Sequence, residues 1–146
     1  PDLIEEEVER VQPLLEPRQL LVEIDPGMSP DTRIRGDRFM LQTALHNLLA
    51  NAIEFSPNEA TIHIGFSVRT SEVEITVKDE GPGIPDFARE RIFERFYSLK
   101  HTVSGRKSSG LGLCFVKEAA ELHGGSIRLV ENEPSGVIAR LCVPKD

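Results

Sequence analysis

Asn47 and Asn51 stand four residues apart, so a helix would carry both side-chain amides on one face. A neutral carbonyl oxygen there suits magnesium, which takes oxygen ligands and keeps most of its waters when it also holds phosphate. Asn51 is the expected metal ligand; Asn47, one turn earlier, would meet a phosphate or a metal-bound water. The bland alternative is a solvent-facing stripe. It is weakened because asparagine is a mediocre helix former and exposed stripes normally use Glu, Lys or Ala. Downstream, Asp79-Glu80-Gly81-Pro82-Gly83-Ile84 puts a carboxylate at the entrance to a glycine-rich turn. Glycine lets a flat ring approach the main chain, and a carboxylate there can accept from an exocyclic amine, which selects adenine over guanine. A plain tight turn is the competing reading. Gly110-Leu111-Gly112-Leu113 then opens a helix, where unpaired N–H groups and the dipole attract anionic oxygens; a flexible hinge competes. No Gly-Lys-Ser/Thr follows, so this is not a Walker loop, and no first strand precedes it as in a dinucleotide fingerprint. In this order, with Ile92-Phe93-Glu94-Arg95-Phe96 between the glycine segments, the pieces outline a nucleotide pocket.

The elements that must position these residues are legible from periodicity. A stripe of Ile4, Val8, Val11 and Leu15 predicts an amphipathic helix from Asp2 to about Glu16. A strand is expected over 20–24, closed by Asp25-Pro26-Gly27. The strongest helix runs over 37–55, with Leu41, Leu45, Leu48, Leu49 and Ala52 on one side. Ser56-Pro57 ends it, because proline disfavours helical geometry in the residue before it. Ile62, Ile64, Phe66 and Val68 share one face of a strand, as do Val73, Ile75 and Val77 in the next, with a hairpin turn over 69–72. Asp86 is a cap for a brief helix carrying Ile92 and Phe93. Residues 97–109 read as a loop. A helix starts near Gly110 or Leu111 and stops at Gly124-Gly125, and strands follow over 126–131 and 137–143. About five strands and three or four helices in mixed order predict an α/β two-layer sandwich, a sheet covered on one face by helices.

The chain has 146 residues, enough for one domain with a core of its own. A net charge of −7 without a basic run argues against a nucleic-acid partner. An acidic protein that binds an anionic nucleotide does so through metal, backbone amides and a few local cations. Cys114 and Cys142 lie in apolar patterns, which fits a reduced setting without zinc. No apolar run reaches the roughly 18 residues that span a bilayer, and no signal peptide is visible. The opening Pro1 is expected of a piece cut from a longer protein, in which any membrane anchor would lie outside residues 1–146.

Taken together, these segments resemble the catalytic and ATP-binding domain of bacterial sensor histidine kinases, in the GHKL (Bergerat-fold) ATPase group. The stretch from Asn47 to Ser56 is similar to the N box, 79–84 to the G1 box, Phe93-Glu94-Arg95-Phe96 to the F box, and 110–113 to the G2 box. The segments Arg95-Phe96-Tyr97-Ser98-Leu99 and 107–113 are most similar to the CreC-type sensor kinases. The resemblance covers nearly the whole chain and implies ATP and Mg²⁺ as cofactors. It implies that Asn51 holds Mg²⁺, that Asp79 bonds the adenine amine, and that Gly81, Gly83 and Ile84 shape the base pocket. Phe55 and Tyr97 would line the nucleotide. Asn47, Arg95 and Lys107 would act in catalysis on the phosphate side. Residues 97–109 would be a mobile lid, and Ser108, Ser109, Gly110, Leu111, Gly112 and Leu113 would meet the phosphates. The activity implied is histidine phosphorylation, followed by relay to a response regulator. The full-length protein would be a homodimer anchored on the cytoplasmic side of the bacterial inner membrane.

Three positions depart from the family pattern. Glu54 stands where the N box commonly has lysine, Ser98 where many relatives carry arginine, and Gly136-Val137 where the last hairpin often has Gly-Thr. Lys100, Arg106 and Lys107 are the candidate substitute cations, Lys107 first. None of His46, His63, His101 and His123 has the acidic-residue and proline pattern of a phosphoacceptor, so the acceptor is expected on a separate dimerisation domain. Two alternatives stay open. A hydrolytic GHKL ATPase would need a glutamate where Asn47 stands, since an amide cannot accept a proton at neutral pH. An anti-sigma-type serine kinase or a non-catalytic nucleotide-binding module would bind nucleotide without phosphorylating histidine.

Overall fold

Alternation of apolar and polar residues in 61–68 and 72–78 builds the centre of the sheet. Strands β2 (Thr61–Val68) and β3 (Glu72–Lys78) form an antiparallel hairpin with Ile64 opposite Val77 and Phe66 opposite Ile75. On the other edge of β3, β5 (Val137–Pro144) runs antiparallel with Leu141 opposite Ile75, and β4 (Ser126–Glu131) follows beside it. At the far edge β1 (Leu21–Ile24) pairs parallel with β2, giving a mixed five-stranded sheet in the order β1-β2-β3-β5-β4. A parallel pair needs a long crossover, and helix α2 (Arg38–Phe55) supplies it; helices α1 (Asp2–Leu15) and α3 (Gly112–Leu122) flank α2. This computed structural model describes residues 2–25, 33–34, 36–82, 112–132 and 135–145.

The core lies between the sheet and the helices. Ile62, Ile64, Val73, Ile75, Val77, Leu141 and Val143 are buried from the sheet side, facing Leu41, Leu45, Leu48 and Leu49 of α2 and Val116 and Ala120 of α3. The β2 stripe fades toward the hairpin end, where Phe66 is half-buried and Val68 exposed. The opposite face of the sheet is polar. Glu74 is buried even there, because Arg140 donates to it at 3.1 Å and Arg69 approaches at 3.5 Å. The result is the two-layer α/β sandwich expected from the sequence. The brief helix expected after Asp86 lies outside the described residues.

Helix α2 starts at Arg38, with Asp37 as its N-cap. The Asp37 side chain accepts from the Met40 N–H at 2.9 Å, satisfying one of the unpaired donors of the first turn. It ends at Phe55, and both the main-chain N–H and the hydroxyl of Ser56 bond the Ala52 carbonyl before Pro57. Helix α1 packs on α2 through Ile4, Val11 and Leu15, and it also buries Glu7, whose carboxylate meets His46 Nδ1 at 3.1 Å.

Candidate nucleotide site

Asn47, Asn51 and Phe55 lie at successive turns of α2, each half-buried. The Asn47 amide nitrogen donates to the Gly112 carbonyl at 3.3 Å. A methyl group on Gly112 would come within 3.8 Å of Asn47 Cβ, so the first residue of α3 packs directly on this part of α2. With its NH₂ turned to Gly112, Asn47 has its carbonyl oxygen as the remaining polar atom. Amide oxygens at 47 and 51 are the donor type magnesium accepts when phosphates and water complete its shell. These residues fit such an ion.

Two turns further along, the end of α2 meets the turn after β3. A Cβ placed on Gly81 would fall 2.3 Å from the Phe55 carbonyl oxygen, so only glycine lets the main chain pass there. Asp79, 8% exposed, is fixed from two sides. Its Oδ1 accepts the Gly81 N–H at 2.9 Å and the Val137 N–H at 3.1 Å. Its own N–H donates to the Val137 carbonyl at 3.0 Å, and its carbonyl accepts from Asn132 Nδ2 at 2.9 Å. Burial raises the Asp79 carboxyl above its ordinary pKa, and the two amide hydrogen bonds offset part of that rise.

Spacing along α2 gives the site its length. Eight residues separate Asn47 from Phe55, about 12 Å at the helical rise, comparable with a nucleoside triphosphate laid out from base to γ-phosphate. One end presents a fixed carboxylate acceptor; the other presents the Asn47 amide and the start of a helix. Of the residues named from the sequence, the structure brings Asn47 to Gly112 and Phe55 to Gly81 and Asp79. Asn51 lies on α2 between these ends, and Leu113 is half-buried in the first turn of α3. Gly83, Ile84, Arg95, Tyr97, Lys107, Ser108, Ser109, Gly110 and Leu111 lie outside the described residues, with Ser98, Lys100, Arg106 and His101.

Four residues that sequence reasoning did not assign to the site take part in its frame. Asn132, Gly136 and Val137 come from the β4–β5 connection and hold Asp79. Gly136 has φ +107°, and a Cβ there would stand 2.0 Å from the Asp79 carbonyl oxygen, so it too must be glycine. Val137 reaches Asp79 through its main-chain N–H, a contact independent of the missing threonine hydroxyl. The fourth is Arg18, whose guanidinium lies at the end of α2. Only the Gly136-Val137 pair carried a signal, since a glycine before a strand marks a special backbone position. Of the other described histidines, His123 spans Ala119 and Asp37, and His63 meets Glu23.

A two-layer sandwich whose central helix joins a glycine-framed buried carboxylate to a helix N-terminus is the architecture of a GHKL-type nucleotide-binding domain. The chain belongs to the histidine kinase-, DNA gyrase B- and HSP90-like ATPase family, whose model matches residues 36–146. It is similar to the sensor protein CreC of Escherichia coli strain K12, 45% identical over 111 residues, which are 76% of this chain and 23% of that protein. Among solved structures it is similar to the catalytic domain of histidine kinase ThkA in a nucleotide-free form, with 29% identity and a TM-score of 0.83, covering 99% of this chain and 92% of that one. It also resembles full-length ShkA in complex with AMPPNP, with 26% identity and a TM-score of 0.82, covering 99% of this chain and 29% of that one. The chain spans 23 to 30% of the length of the first curated relatives it matches. Among the described residues no helix is long and apolar enough to cross a membrane.

Proposed function

We propose that residues 1–146 form a single domain that binds ATP with Mg²⁺ and passes the γ-phosphoryl group to a histidine on a separate dimerisation domain of the same sensor kinase. The phosphoryl group would then be relayed to a response regulator. The observation that carries this is the polarity of the site along α2: an acceptor carboxylate by its Phe55 end, the Asn47 amide and the start of α3 about 12 Å away along the helix, and the Asn51 amide between them. Adenosine triphosphate has the matching order of groups, an amine donor and then an anionic tail.

In this scheme Asp79 accepts the adenine amine through Oδ2, since Oδ1 is engaged by Gly81 and Val137. Gly81, Gly83 and Ile84 form the base slot, with Phe55 and Tyr97 along its walls. Asn51 holds the magnesium ion, whose charge offsets that of the phosphates, and Asn47 meets a phosphate or a metal-bound water. Arg95, Lys107 and the main chain of 108–113 meet the phosphate oxygens, and 97–109 closes over them. The bond from the γ-phosphorus to the ADP oxygen breaks as one forms to the imidazole nitrogen. The domain's part is to position the donor and hold its charge. Asn47 offers no base to activate water, and its amide is committed to Gly112, which supports transfer over hydrolysis. The domain would act on the cytoplasmic face of the inner membrane, within a membrane-anchored homodimer.

The test is incubation of the chain with γ-labelled ATP, magnesium and the separately produced histidine hairpin of the same kinase. Acid-labile, base-stable label on the hairpin histidine is expected. Nucleotide binding without label would replace the kinase by a binding module.

A further inference from the structure

The last turn of a helix leaves its final carbonyls without intrahelical partners, and a cation there satisfies them and complements the dipole. Helix α2 has no basic residue in its last turn, and Glu54 sits there instead. The cation comes from elsewhere in the chain. Arg18, half-buried in the short 3-10 turn Glu16–Arg18 between α1 and β1, reaches across to the end of α2. One terminal nitrogen donates to the Ile53 carbonyl and the other to the Ser56 carbonyl, while Nε donates to Asn58 Oδ1 at 3.0 Å. The Arg18 carbonyl in turn accepts the Glu59 N–H at 3.0 Å. One side chain thus ties the α1–β1 corner to the α2–β2 corner through a planar fork that only arginine supplies.

The carbonyls it holds bracket Phe55. The Phe55 carbonyl oxygen is the atom against which Gly81 is packed too closely for any side chain, and the Gly81 N–H fixes Asp79 Oδ1 at 2.9 Å. The path from Arg18 to the carboxylate therefore has two links: the last turn of α2, then Gly81. We propose that Arg18 is a positioning residue for the adenine end of the nucleotide site: it sets the place of the Phe55 carbonyl, and through it the Gly81 turn and the Asp79 carboxylate. This rests on the nucleotide reading above. It assigns Arg18, which touches no nucleotide in that scheme, an effect confined to the base end.

Arg18→Met keeps the length and apolar stem of the side chain and removes the fork. The chain and its variant are titrated with Mg-ATP by calorimetry and with adenosine by chemical-shift perturbation, on samples shown folded by their amide spectra. Arg18→Met is expected to weaken ATP and adenosine by the same factor, roughly 2- to 30-fold, the range for residues that act on a site without touching the ligand. The Gly81 and Val137 amide resonances should also move in the nucleotide-free protein. A lower melting temperature with unchanged affinities would make Arg18 purely structural and overturn the proposal. A loss for ATP with none for adenosine would place the effect at the phosphate end and overturn it as well. Should Arg18→Met not fold, Arg18→Lys, which keeps the charge as a single point donor, is read by the same criteria. If the wild-type chain itself binds no ATP, the nucleotide reading fails; if it binds and the variant matches it, only the role of Arg18 fails.

Discussion

Replacing Asp79 by asparagine separates recognition of adenine from support of the fold. The carboxylate is 8% exposed and receives two main-chain N–H bonds on Oδ1, from Gly81 and Val137. An asparagine oriented to keep both bonds places its NH₂ where Oδ2 stood, so a donor faces the adenine amine. The lost hydrogen bond to a charged group is worth about 1.5–3 kcal/mol, which is roughly 10- to 150-fold in dissociation constant, and the facing donors put the effect toward the upper end. Stability moves differently. The raised Asp79 pKa means that the folded chain binds this proton more tightly than the unfolded one. The associated stabilisation is complete below the ordinary carboxylate pKa and is lost as pH rises through the raised value, so at neutral pH the ionised group is a cost to the fold. Asp79→Asn removes that cost and should melt at or above the wild-type temperature at pH 7.5. Asp79→Ala strips the acceptor from one buried and one part-buried N–H group, at up to about 1–3 kcal/mol each, and should melt lower. Wild-type ATP affinity should fall as pH is lowered through the Asp79 pKa, a limb missing from the asparagine variant. The assays are calorimetric titration with Mg-ATP across pH and thermal melting by circular dichroism. An Asp79→Asn protein with wild-type melting and wild-type ATP affinity would refute the role given to this carboxylate.

Gly81→Ala places a methyl group 2.3 Å from the Phe55 carbonyl oxygen, so the turn must retreat by about 1 Å. Overpacking of this kind costs roughly 1–3 kcal/mol, and urea unfolding should show that loss together with a weaker ATP titration. Gly136→Ala combines a backbone at φ +107° with a 2.0 Å approach to the Asp79 carbonyl oxygen. It should lower unfolding free energy by about 2–5 kcal/mol; a loss within experimental error would contradict the geometry. Lys107→Ala should weaken ATP binding while leaving the melting temperature unchanged, and an unchanged dissociation constant would remove Lys107 from the phosphate side.

The order of elements was readable because apolar spacing and chain-breaking residues agree. Leu41, Leu45, Leu48 and Leu49 repeat with helical period and stop at Ser56-Pro57; Ile62, Ile64, Val73, Ile75 and Val77 alternate with strand period. The ends of the candidate site, Asn47 and Asp79 with its glycines, stood out because amides in a helix and a carboxylate before Gly-Pro-Gly are unusual choices locally. The scaffolding did not stand out. Arg18 acts on carbonyls 35 and 38 positions away, which any residue could offer, and Asn132 works through a main-chain oxygen 53 positions away. Val137 contributes an N–H that its side chain does not advertise. The burial of Glu7 is equally silent, because a glutamate on an amphipathic helix reads as solvent-facing until α2 packs over it.

Calorimetric titration of the chain with a non-hydrolysable ATP analogue, with magnesium and with excess chelator, tests the central claim most directly. One site per chain is expected, clearly tighter with magnesium, and Asn51→Ala should abolish the difference between the two conditions. Absence of heat up to about millimolar ligand, the weak end of specific binding, or an affinity indifferent to both magnesium and Asn51, would contradict the account.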